Sequence, residues 1–72
     1  MSRFVLNQNV QNNGDHEVHD ATTGCTFIPA PQNQIDLGWH PTCFGAVVEA
    51  KRRYPRNRIN GCKFCCPMCH TS

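Results

Sequence analysis

The stretch Cys62-Lys63-Phe64-Cys65-Cys66-Pro67-Met68-Cys69-His70 puts four of the chain's six cysteines into nine residues. It reads as two Cys-x2-Cys pairs set back to back, Cys62/Cys65 and Cys66/Cys69. A two-residue spacer lets both thiolates of a pair reach one ion, while the backbone between them turns its N–H groups towards the sulfurs. Tetrahedral zinc takes four such ligands, usually two from each of two separated segments. Side chains of neighbours diverge, so Cys65 and Cys66 are not expected to serve one ion together. Of the two pairs, Cys62/Cys65 follows the turn-forming dipeptide Asn60-Gly61 and is the expected metal pair. The best upstream complement is His19-x5-Cys25, with His16 the alternative histidine. The expected ligands are therefore His19, Cys25, Cys62 and Cys65, with Zn2+ as cofactor.

The rest of the composition explains why a metal is needed. The chain has 72 residues, enough for one domain, with an ordered core expected over about residues 3–70. Only fourteen residues are Val, Ile, Leu or Phe. A chain below ~70–80 residues rarely draws more than ~3–5 kcal/mol from its apolar core. The longest apolar run, Phe44 to Val48, is far short of the ~20 residues a membrane helix needs. After Met1-Ser2-Arg3 the apolar stretch Phe4-Val5-Leu6 stops at Asn7, which does not read as a secretory leader. A reducing, cytoplasmic setting is therefore expected, where thiols persist and metals take the place of disulfides. The competing reading is a disulfide framework, since six is an even number and small domains are often stapled in that way. A Cys-x2-Cys redox enzyme lacks its usual βαβ context here.

Working outward from the cysteines, the pattern predicts a small α+β fold. Two or three short antiparallel strands and one helix would surround the zinc site. Phe4-Val5-Leu6 and His16-Glu17-Val18-His19 read as a hairpin with a loose polar loop, and Gln34 to Trp39 as a third strand. Thr42 is placed to cap a helix that Pro55 stops. On it Phe44, Val47, Val48 and Tyr54 fall on one stripe, expected to face the core, with Glu49, Arg52 and Arg53 facing away. Trp39 is expected in the core. Cys43 reads as a small buried apolar residue and Cys66 as a surface thiol. Cys43, Cys69 and His70 are candidates for a second metal site or an accessory disulfide. His16 and His40 read as ordinary hydrogen-bonding histidines.

Charge is unevenly distributed. Residues 1–40 carry −3 and residues 41–72 carry +5, with Lys51, Arg52, Arg53, Arg56 and Arg58 inside eight positions. This patch, with Tyr54 within it, is the candidate nucleic-acid-binding surface, through phosphate contacts and base stacking. The plainer alternative is a solvated helix end, where cations favour the negative pole of the helix dipole. No carboxylate pair, Ser/His/Asp set or glycine-rich phosphate loop points to catalysis.

The order Asn9, His19, Cys25, Asn33-x-Ile35, a helix with Ala46 and Ala50, then Cys62-Lys63-Phe64-Cys65-Cys66-Pro67 resembles the small zinc-binding module of the Ada DNA-repair family. It is closer to the short Ada-like domains carrying His…Cys…Cys-x2-Cys. The likeness covers residues 4–67 in element order and a dozen positions in identity. It implies that His19, Cys25, Cys62 and Cys65 hold zinc, in a fold of short strands and one helix. In Ada itself all four ligands are cysteines, and one accepts a methyl group from a DNA phosphotriester. Here the first ligand is histidine and no helix-turn-helix follows. The expected function is a non-enzymatic zinc-binding module for nucleic acid or protein. The alternatives are a zinc-thiolate alkyl acceptor working through Cys25 or Cys65, and a disulfide-stapled interaction protein.

Overall fold

The two alternating stretches near the N-terminus do pair as a hairpin. In a computed structural model, which describes residues 1–71, β1 (Ser2–Asn7) and β2 (Asp15–Asp20) run antiparallel. Ser72, the last residue of the expected domain, lies outside the described residues. Val5 stands opposite His19 and Leu6 opposite Val18. β3 (Gln34–His40) lies along the other side of β1, also antiparallel, after a 3-10 turn at Pro31–Asn33. Helix α1 (Cys43–Arg53) follows, then β4 (Arg58–Gly61) and a 3-10 turn at Pro67–Cys69.

β4 is one strand more than the two or three expected, and it is parallel. It runs alongside β2 with Asp15 opposite Arg58 and Val18 opposite Gly61, giving the sheet order β3-β1-β2-β4. Asn60-Gly61 is therefore part of a strand and not a turn. The requirement for glycine comes from packing: a Cβ on Gly61 would sit 2.6 Å from Cys69 Cβ and 2.9 Å from the Cys66 carbonyl oxygen. Asn60 is also fully employed. Its Oδ1 accepts the backbone N–H of Gly61 at 2.9 Å and of Thr71 at 3.0 Å, and its Nδ2 donates to Asp15 Oδ2 at 3.3 Å.

The helix starts where its cap predicted, with Thr42 Oγ1 accepting the Phe44 N–H at 3.3 Å. Its buried face is rotated from expectation. Cys43, Ala46 and Ala50 face the sheet, with Val47 and Tyr54 half-buried beside them, while Phe44 and Val48 are 54% and 66% exposed. Small side chains on this stripe let the helix lie close to Phe4, Leu6, Val18 and Leu37 of the sheet, and larger ones would hold it off. Trp39 is 60% exposed and so is not core. A register slip in the β1–β3 ladder and a left-handed Gly38 (φ +83°) break the alternation of β3, so Trp39 does not follow Leu37 inward.

Side chains alternate across a strand. With Leu6 and Val18 turned to the helix, their neighbours Val5 and His19 occupy the opposite face, and both are fully buried there. The sheet thus has an apolar side under the helix and a second side built around a histidine.

Candidate metal centre

The parallel ladder decides where the cysteines go. Because Val18 is paired with Gly61, the next residue of each strand, His19 and Cys62, meet at the same end of the sheet. Cys62 N–H extends the ladder by donating to the Val18 carbonyl at 2.9 Å. The chain then turns back, closed by the Cys66 N–H on the Cys62 carbonyl at 2.8 Å, which brings Cys65 round beside Cys62. The backbone N–H groups of Phe64 and Cys65 point at Cys62 Sγ, and that of Asp20 donates to Cys65 Sγ at 3.4 Å.

Cys25 is delivered by the loop after β2. The Asp20 carboxylate accepts the N–H groups of Thr22 and Thr23 and the Thr23 hydroxyl, each at 3.0 Å. These bonds hold the Asp20 carboxyl below its usual value despite some burial. Gly24, left-handed at φ +88°, then turns the chain so that Cys25 faces back to the sheet.

The result is a group of four: one ligand atom from each of His19, Cys25, Cys62 and Cys65, all within 4.8 Å of one another. Two edges of this figure are resolved, with Cys25 Sγ to Cys62 Sγ at 3.7 Å and Cys65 Sγ to His19 Nδ1 at 3.6 Å. Zn–S bonds of about 2.3 Å and Zn–N bonds of about 2.0–2.1 Å at tetrahedral angles give edges of roughly 3.8 Å and 3.6 Å. These two edges match those of a tetrahedral ion, and the four residues sit close enough to hold one. Burial pulls the His19 imidazole below its usual value, which favours the neutral, ligating ring. The Cys62 thiol is pushed up to about 12, chiefly by burial, and Cys65 is raised by its hydrogen bond to Cys66 and by burial. Without an ion these thiols keep their protons.

The other candidates separate cleanly. Cys43 and Cys69 form a disulfide that ties the start of α1 to the C-terminal segment. Cys25, Cys62, Cys65 and Cys66 are free, so the cysteines are not all paired. Cys66 is buried in the core under the helix and is no surface thiol, and its thiol lies beside that of Cys65. His70 Nδ1 lies 3.0 Å from the Gly61 carbonyl, His16 Nδ1 3.1 Å from that of Asn7, and His40 Nε2 2.7 Å from that of Leu37. All three are hydrogen-bonding histidines.

The basic stretch is partly neutralised from within. Glu49 takes both Arg52 and Arg53, and these bonds hold its carboxyl at about 2. Arg53 also donates to the Asp36 carbonyl at 2.8 Å, and Arg58 pairs with Asp15 at 2.9 Å. Lys51 and Arg56 form no ion pair among the described residues. Two features escaped the sequence. Phe27 and Phe64 stack at 4.6 Å between centroids, one from each ligand-bearing loop, and both are exposed. Glu17 lies beside His19, which the period of a strand could have revealed. Among the described residues, no helix is long and apolar enough to cross a membrane. No family model, characterised protein or solved structure matches the chain.

Proposed function

We propose that the chain is a zinc-stabilised, non-enzymatic module that works by presenting a surface to a partner. The observation that carries this reading is the complete four-residue donor set. A structural zinc site is closed by four protein ligands, whereas a catalytic one keeps a position open for water or substrate. Three thiols and a neutral imidazole also suit zinc better than the oxygen-seeking calcium or magnesium. The ion would hold the ends of β2 and β4 together and supply folding free energy that a short apolar core lacks.

The test is the native mass of purified protein against its acid-denatured mass. An excess of one zinc that disappears in acid is the expected result, and a metal-free native protein overturns the reading. Uptake at neutral pH is further expected to release protons from the thiols, measurable by titration in weak buffer.

Nucleic acid is the first partner to test, because Lys51 and Arg56 have no acidic partner among the described residues. Reversing both charges is expected to weaken binding of a DNA or RNA oligonucleotide and to reduce its salt slope by about 1 for each phosphate no longer neutralised. Unchanged binding with an unchanged slope assigns the basic stretch to helix-end solvation.

A second reading, a thiolate alkyl acceptor in keeping with the likeness to Ada modules, draws on the position of Cys25. That residue is half-buried beside an open hollow lined by Thr23, Thr26, Phe27 and Phe64. A methyl would leave the phosphotriester oxygen and bond to sulfur, releasing a phosphodiester. A gain of about 14 Da (one methylene) on Cys25 after incubation with a methyl phosphotriester oligonucleotide would support it, and an unmodified protein dismisses it.

A further inference from the structure

His19 presents one nitrogen to the ligand cluster and leaves the other unexplained. Its Nδ1 lies 3.6 Å from Cys65 Sγ, on the side of the sulfurs. Its Nε2 is fully buried and, among the described residues, has no hydrogen-bond partner. A ring that ligates through Nδ1 must carry its proton on Nε2, so this atom becomes a buried donor. An unsatisfied buried donor costs about 1–3 kcal/mol, which works directly against ligation. The atom placed to relieve it belongs to Glu17, whose Oε1 stands 3.8 Å from Nε2. Glu17 and His19 are two apart on β2, so both side chains leave the strand on the same face.

The distance is too long for a hydrogen bond and too short to admit a bridging water. A change in the side-chain torsions of Glu17 that moves its oxygen by under an ångström closes it. The Glu17 side chain is only 16% exposed, and its Oε1, which accepts from the exposed Gln11 Nε2 at 3.3 Å, keeps a lone pair for a second donor. Outer partners of this kind fix which nitrogen of a ligating histidine is free for the metal, and losing one costs ~10–100-fold in affinity.

We propose that Glu17 is a positioning residue of the metal centre: its carboxylate accepts the Nε2–H of His19 and so keeps Nδ1 free for the ion. The inference rests on the metal-binding reading above and adds a residue that is not itself a ligand. It also gives a use to the carboxylate that shares a sheet face with His19.

The test compares the full-length chain with its E17Q and E17L variants in Zn2+ titrations against a chromophoric chelator. Each is paired with long-range 1H–15N correlation of the His19 ring in the zinc-loaded protein. E17L, which has no acceptor, is expected to lose ~10–100-fold in affinity and the exchange protection of the Nε2 proton. E17Q keeps an amide oxygen in the same place and is expected to recover most of both. The NMR readout separates positioning from a general loss of stability, which would leave the Nε2 proton where it was. Wild-type affinity in E17L with the same protected Nε2 proton overturns the proposal and leaves the metal reading standing. A wild-type chain that takes up no zinc overturns both.

Discussion

The two faces of the sheet are buried by different means. Under the helix, Phe4, Leu6, Val18 and Leu37 pack against Ala46 and Ala50, and contact follows from shape. On the other face and at its end, burial centres on His19 and the thiols of Cys25, Cys62 and Cys65. The first side loses stability gradually as atoms are removed. The second brings four donor groups to one point, and if they hold an ion, removing any one of them disables the remaining three. A chain with so few large apolar residues can furnish one packed face, and the second face needs few atoms but strict placement.

The largest effect is expected for Cys62→Ser. It removes the donor that directly follows β4, and a structural zinc there would contribute on the order of 10 kcal/mol of folding free energy. Loss of one-to-one zinc uptake and of the cooperative thermal transition is expected by mass spectrometry and circular dichroism. A variant that melts like the wild type shows that the metal side is held by packing after all. Leu6→Ala tests the apolar side, with an expected loss of ~2–5 kcal/mol in urea unfolding and zinc stoichiometry unchanged.

A third break lies between the two sides. The Cys43–Cys69 disulfide spans 26 residues, and closing a loop of that size is worth roughly 3 kcal/mol. Replacing both cysteines with alanine is expected to cost about that much while the four-ligand centre still loads. If zinc uptake falls as well, the disulfide is part of the metal side and the two regions are not independent. The smallest effect is expected for Thr42→Ala, which removes the helix cap at ~1 kcal/mol and leaves the metal side untouched. A larger loss would mean that the helix sets the position of the cysteine segment through Cys43.

Much of this division is legible in the amino-acid sequence. Cys-x2-Cys with an upstream His and Cys points to a metal-donor cluster because the spacing is a local chemical requirement, and these four residues do come together. The helix cap at Thr42 is local for the same reason. The features that differ from expectation are those that depend on distant partners. Asn60-Gly61 has the sequence of a turn, but the parallel strand beside it and the close approach of Cys69 give it another use. The helix stripe is set by residue size instead of hydrophobicity, so Ala46 and Ala50 face the sheet and Phe44 does not. Cys66 reads as a surface thiol yet is buried beside Cys65, which shows only once the turn after Cys62 is built. Trp39 is exposed because one glycine breaks the alternation before it.

The pairing of Asp15 with Arg58 joins positions forty-three residues apart, so the β2–β4 ladder is a late event for a chain searching at random. Non-local pairing of this kind slows folding. The donor residues, however, come as two halves, His19 with Cys25 and Cys62 with Cys65, each assembled within its own segment. An ion caught by the first half is a tether waiting for the second, and it turns a diffusive search by the C-terminal segment into a short capture. A metal held there would then set the speed of folding as well as its depth, and refolding in zinc is expected to outpace refolding in chelator.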